Sequence, residues 1–325
     1  MTKLGYQIPN FTYPGVAAAD LYPTIARQAR EAEAGGFDTV LVMDHFYQLP
    51  MIGPPDAEMI ECYTLLSALS AQTERVRLSA LVTGNTYRHP TLLAKTVTAL
   101  DLVSGGRAQL GIGAGWFELE HDSLGFEFGT FTDRFEKLEE SLQIITGMLA
   151  GERPSLDGRW YQVADAINSP APLSKIPVMI GGGGEKKTLR LVAQYADESN
   201  LICAADEIPR KLDALAAHCA DLGRDRSEIT VSYQTMACIA PTHDEAQADL
   251  DAALALRGVD VASLGEEEAA GVRSLIPYGD PDEIGERWSA LLATGIDGFT
   301  VAAPVNGHVE GRVQLLGDTL SKVVT

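Results

Sequence analysis

The feature that most restricts this chain is its rhythm. Short apolar runs recur, each followed by a segment with helical spacing: LGYQI (4–8), DTVLVMD (38–44), VRLSALVT (76–83), RAQLGIG (107–113), PVMIGG (177–182), SNLICA (199–204), ITVSYQTMACIA (229–240) and GFTVAAP (298–304). Strands separated by helices pair in parallel. About eight such units predict an α/β fold, the closed (β/α)8 TIM barrel, with a doubly wound open sheet as the alternative.

The intervening segments carry helix signals. Phe135, Leu138, Leu142 and Ile145 share one face of 135–149, with Asp133 and Glu136 read as a capping box. In GDPDEIGERW, Asp280 is the expected N-cap, Pro281 the first helical residue and Glu283 the capping partner. Residues 1–325 are read as a single barrel domain with two insertions. Residues 150–175 are rich in proline and contain SLDGRWYQV, where Asp157-Gly158 predicts a hairpin turn. Residues 257–278, with the acidic GEEEAAG, predict a surface excursion that could serve as a lid.

Charge narrows the partners. Forty-five acidic against 25 basic residues give a net charge of −20, so nucleic acid and anionic membrane are not expected to bind. No apolar run approaches the length of a membrane span, and MTKLGYQIPN has no signal-peptide core, so a cytoplasmic location is expected. Cys62, Cys203, Cys219 and Cys238 are far apart in apolar or helical contexts, which predicts reduced thiols and no metal site.

A barrel places its chemistry at the C-terminal ends of the strands. MDHF (43–46), VTGNTYRHP (82–90), GIGAGWFELEH (111–121) and GGGGEKK (181–187) all fall there and converge only if the barrel closes. Gly181, Gly182, Gly183 and Gly184 run into a helix, with Lys186, Lys187 and Arg190 in or near its first turns. Bare amides at a helix start suit a phosphate, although a tight turn alone would call for one or two glycines. The small residues of GIGAG let a flat ring approach the backbone, or simply relieve crowding at the mouth. Asp44-His45 reads as an acid/base pair, as half of a metal site, or as a cap with a satisfied histidine. No H-x-H or H-E-x-x-H spacing supports the metal, and His89 and His121 are the other histidines near the mouth.

GYQIP, VMDHF, TYRHPTLLAKTVTALDLVSGGRAQLGIGAGWFELEH and VMIGGGGEKKTLRLVAQYAD together resemble the bacterial luciferase-like superfamily, and within it the branch that uses the deazaflavin coenzyme F420. The resemblance implies that Asp44 contacts the ring system and that His45 faces the substrate beside the hydride-carrying carbon. It implies a non-proline cis peptide at or next to Ala80–Leu81, Thr83 at the ring edge, Gly113 and Ala114 beside the ring or ribityl chain, and Gly181 to Gly184 as the phosphate loop. Relatives that oxidise sugar phosphates carry a glutamate where this chain has Trp116, and a phosphate-binding lysine near Ala204-Ala205-Asp206. Glucose 6-phosphate is therefore not the expected substrate. Trp116 and Phe117, with Trp160 from the hairpin, imply a more apolar substrate pocket.

The resemblance thus implies an F420-dependent oxidoreductase moving a hydride between the deazaflavin and a small carbonyl, alcohol, imine or activated alkene, with His45 as proton donor or acceptor. The alternatives are an FMN-dependent two-component monooxygenase and a non-catalytic cofactor carrier. Members of this kind imply a homodimer, through Leu65, Leu66 and Leu69 or the 90–104 helix unless those residues face the barrel. They also imply a separate reductase or F420-reducing enzyme as supplier of reduced cofactor.

Overall fold

The computed structural model describes residues 3–324. Eight parallel strands of the described residues close a barrel: β1 (Leu4–Ile8), β2 (Thr39–Val42), β3 (Arg77–Ala80), β4 (Ala108–Gly113), β5 (Val178–Gly181), β6 (Glu198–Leu201), β7 (Thr230–Met236) and β8 (Gly298–Ala302). Each pairs with its sequence neighbour. The ring closes through β1 and β8, where Leu4 lies opposite Phe299 and Gln7 opposite Ala302. The expected (β/α)8 barrel is therefore present, and the apolar runs read from the sequence contain their strands except at β6, which begins at Glu198, one residue before the run 199–204.

Helices cover the outer faces of the strands, and apolar strand residues pack against them. One apolar core unites strand residues such as Tyr6, Val40, Leu78, Leu110, Ile180 and Phe299 with helix residues such as Ile25, Leu66, Leu93, Leu142 and Trp288. Leu65, Leu66 and Leu69 belong to this core and are 2% exposed or less, so they face the barrel and are not an interface.

Part of the barrel interior is polar, and several of its groups pair across the ring, while the buried Ser199 Oγ and Asn200 Oδ1 have no partner among the described residues. Gln109 donates to Glu198 at 2.8 Å, Asn200 to Ser232 at 2.9 Å and to Thr300 at 2.7 Å, and Gln234 to Gln7 at 2.8 Å. Burying such groups without partners would cost several kcal/mol each, on the order of 2–7. Cross-strand pairing offsets that cost and fixes the register.

Two local expectations are corrected. The helix expected at 135–149 runs Phe131–Leu149, and its capping box is Thr130 with Asp133. Phe131 is 59% exposed, so the apolar stripe begins a turn after the helix does. The 150–175 hairpin pairs Leu156 with Val163 and Asp157 with Gln162, so its turn is 158–161 and not Asp157-Gly158. Gly158 is needed there for closeness: a Cβ would lie 2.3 Å from the Glu140 carboxylate, which accepts the N–H groups of Arg159, Trp160 and Tyr161. The helix Pro281–Leu292 starts as expected, with Asp280 and Glu283 exchanging hydrogen bonds.

After β7, Cys238–Ile239 pairs with Tyr278–Gly279, and the chain between them makes helices His243–Leu256 and Glu266–Arg273. Cys238, Leu250, Leu254, Val261, Ala269 and Val305 form a small apolar cluster of their own under this excursion. Its Arg257 donates to the Ile52 carbonyl in the loop after β2 at 2.9 Å. Among the described residues, no helix is long and apolar enough to cross a membrane.

Candidate active site

The four clusters singled out in the sequence stand at the C-terminal ends of β2, β3, β4 and β5, on one rim. They are physically joined. The peptide bond between Leu81 and Val82 is cis, one bond beyond Ala80–Leu81. Past it, Thr83 and Gly84 form a short extension beside β4, opposite Ile112 and Gly113. A Cβ on Gly113 would approach Val82 Cγ2 to 2.9 Å, and one on Gly181 would approach Val82 Cγ1 to 2.8 Å. Glycine at both positions lets the Val82 side chain lie between the ends of β4 and β5. Beneath it, Leu81 packs with Leu41 and Met179.

Asp44 is 2% exposed and both its oxygens are occupied. Arg88 donates Nη1 to Oδ2 at 2.6 Å and Nη2 to Oδ1 at 2.9 Å, and the Gly84 N–H donates to Oδ2 at 3.1 Å. Arg88 also reaches Glu61 at 2.8 Å and lies over the Tyr63 ring. Burial pushes the Asp44 carboxyl up from its ordinary value, and the guanidinium and the Gly84 N–H work against that push. The Thr83 hydroxyl is bonded to the Tyr63 hydroxyl at 2.6 Å.

Asp44 does not hold the imidazole; Glu120 does. Its carboxylate is fully buried and lies 2.9 Å from His45 Nδ1. The same carboxylate accepts the backbone N–H groups of Phe46 and Tyr47 and the Tyr87 hydroxyl. Burial raises the Glu120 carboxyl, but His45, Tyr87 and the Tyr47 N–H outweigh it and hold the group below its ordinary value. Burial, and then the Glu120 carboxylate, keep the Tyr87 hydroxyl well above its own.

His45 Nε2 has no hydrogen-bond partner among the described residues. The ring stands edge-on to Trp116 and Phe117, at centroid distances of 5.8 and 5.7 Å. Phe117 is 8% exposed and Trp116 is 55% exposed, stacked on Phe117 at the mouth. Trp160 packs elsewhere, against Lys137 and Arg159 with its Nε1–H donating to Glu136 on the Phe131–Leu149 helix. His121 is buried, between the Phe117 carbonyl and the Thr86 hydroxyl, and His89 caps the helix Pro90–Val103. No group of three or more His, Cys, Asp or Glu among the described residues is arranged to hold a metal ion.

The four-glycine loop leaves β5 with Gly182 at φ +122°, a conformation side chains rarely adopt. A Cβ on Gly183 would come within 2.7 Å of the Ile202 carbonyl oxygen. The helix expected directly after Gly184 begins at Thr188, three residues later. The N–H groups of Gly183, Gly184 and Glu185 donate to no acceptor among the described residues. Part of the expected basic patch is already committed. Arg190 is paired with Glu139 at 2.6 Å, and Lys187 lies over Phe131 and Phe135, while Lys186 is exposed.

A closed (β/α)8 barrel with a braced histidine, a cis peptide after β3 and a glycine loop after β5 defines a class of barrel enzyme whose site lies on the C-terminal rim. The luciferase-like monooxygenase family model matches residues 2–298, and the chain belongs to that family. An F420-dependent glucose-6-phosphate dehydrogenase of Microbacterium testaceum is 33% identical over 66% of this chain and 64% of its own length. A 5,10-methylenetetrahydromethanopterin reductase of Methanolobus tindarius is 26% identical over 90% of this chain and 94% of its own. Among solved structures, the coenzyme F420-dependent tetrahydromethanopterin reductase of Methanopyrus kandleri superposes with a TM-score of 0.76 at 18% identity, covering 100% and 99% of the two chains.

Proposed function

We propose that the protein is an F420-dependent oxidoreductase, with His45 exchanging a proton with a small organic substrate. The observation that carries the reading is the free donor run at Gly183 to Glu185, on the same rim as His45 and in a chain whose relatives are F420-dependent enzymes. Those N–H groups suit an anionic cofactor tail, and Gly113, Ala114 and the Leu81–Val82 turn suit a flat ring. When bound, the deazaflavin supplies hydride uptake and release.

The chain's own residues do the rest. Glu120 braces His45, while Asp44, locked by Arg88, holds the turn at Gly84 in place. Nε2 takes the hydroxyl proton of an alcohol or returns one to a carbonyl oxygen. Trp116 and Phe117 keep the substrate side of the ring apolar.

A sugar phosphate does not suit this rim. The segment after β6 carries Asp206 and Glu207, and Lys211 behind it is paired with Glu185 at 2.8 Å. The substrate class is therefore a small neutral carbonyl, alcohol, imine or activated alkene. A homodimer and a separate enzyme that reduces the cofactor belong to the same reading.

Titration with F420 and with FMN, followed by ring fluorescence, tests it. Binding of F420 with turnover of such a substrate is the expected result. Tight binding of FMN alone would replace this reading with a reduced-flavin monooxygenase, and binding without turnover of any such substrate would leave a cofactor carrier.

A further inference from the structure

Glu120 was not among the residues read from the sequence, yet it touches more of the His45 turn than any residue that was. We infer that Glu120 is a positioning residue that fixes the tautomer of His45, so that Nδ1 keeps its proton and Nε2 alone exchanges protons with the substrate. This rests on the proton-exchange role proposed above for His45, and it adds the atom that works and the residue that selects it.

The argument is one of donors and acceptors. An ionised carboxylate only accepts hydrogen bonds. Oε1 of Glu120 takes two backbone N–H groups, from Phe46 and Tyr47, and neither can be anything but a donor. Oε2 takes the Tyr87 hydroxyl and His45 Nδ1. Oε1 already faces two obligatory donors and so carries no proton, and an ionised Oε2 has none to give, so the group facing Oε2 from the imidazole is Nδ1–H. The neutral ring then carries its lone pair on Nε2, the nitrogen without a partner among the described residues.

The brace is also rigid. Glu120 is fully buried on the helix Glu118–Leu124, and it ties down the two residues that follow His45 in the chain. The same carboxylate therefore sets the position of the ring through the backbone and its proton through the side chain. In either direction of reaction the proton moves between Nε2 and the substrate, and the Nδ1–H···Oε2 bond persists.

The test begins with the unaltered protein. In a nitrogen-15 histidine spectrum, with the His45 signals identified by their loss in His45→Gln, the neutral ring reached by raising the pH should show the proton on Nδ1. A neutral ring with its proton on Nε2 overturns the inference whatever the reaction turns out to be. Glu120→Gln is the second arm. Its amide keeps an acceptor for the backbone and turns an N–H toward Nδ1, which moves the ring proton to Nε2. The expected result is a kcat lower by about 100-fold or more, with KM and cofactor affinity within about threefold, together with the switched spectrum. An unchanged kcat overturns the inference. If Glu120→Gln does not fold, the spectrum of the unaltered protein decides. If no F420-linked turnover is found, the function reading fails and the spectrum still decides the tautomer.

Discussion

Asp44 and Arg88 meet as a two-pronged ion pair, at 2.6 and 2.9 Å, inside the rim of the barrel. The pair joins the end of β2 to the turn after β3, because Asp44 also takes the Gly84 N–H. Removing one partner of a buried pair strands the other charge. Arg88→Met should therefore lower unfolding stability by about 3–5 kcal/mol in chemical denaturation. The double replacement Arg88→Met with Asp44→Leu should recover part of the loss, since no fully buried charge is stranded, although the partly exposed Glu61 loses its ion pair and the Gly84 N–H its acceptor.

The glycine loop gives a second prediction. A Cβ at 183 meets a backbone oxygen, that of Ile202, which cannot swing aside as a side chain can. Gly183→Ala should cost about 1–3 kcal/mol of stability. It should also raise the F420 dissociation constant about tenfold, or roughly 1.4 kcal/mol. Glu185→Ala, which leaves the amide in place, should change cofactor affinity far less in the same titration.

His45→Ala separates binding from chemistry. With the acid/base group removed, kcat should fall by about 10²- to 10⁴-fold. The glycine loop is untouched, so the fluorescence titration should return an F420 affinity close to the original.

Acid stability reports on Glu120. Its folded-state value lies below the ordinary 4.5, so its contribution is complete above about pH 4.5 and fades as pH falls through the folded value. The stability gap between the unaltered protein and Glu120→Gln should accordingly be constant near neutrality and shrink on acidification below that point. Parallel denaturation series at several pH values measure it, and a gap that widens in acid would show the carboxyl to be protonated in the fold.

The fold was legible because short strand runs alternate with helical spacing about eight times, and that rhythm implies parallel strands even where a strand is mostly polar, as Glu198–Leu201 is. Boundaries were harder where the cap and the apolar stripe part company, as at Thr130 and Phe131. Asp44, His45 and the glycines could be found because barrel geometry says where strand ends go. Glu120 could not be found that way. It lies 75 positions from His45, and its role exists only once the barrel brings β2 and β4 to the same rim. The sequence signal was only its place inside GIGAGWFELEH, the cluster after β4; that Glu120 is buried beside His121 is visible in the fold alone.

The place of Val82 has a consequence for how such a pocket diversifies. One side chain fills the space over two paired strand ends, so its size governs how much room is left there above Gly113 and Gly181. A smaller side chain at 82 would open that space without moving either strand end. Adding bulk at either glycine only jams the mechanism.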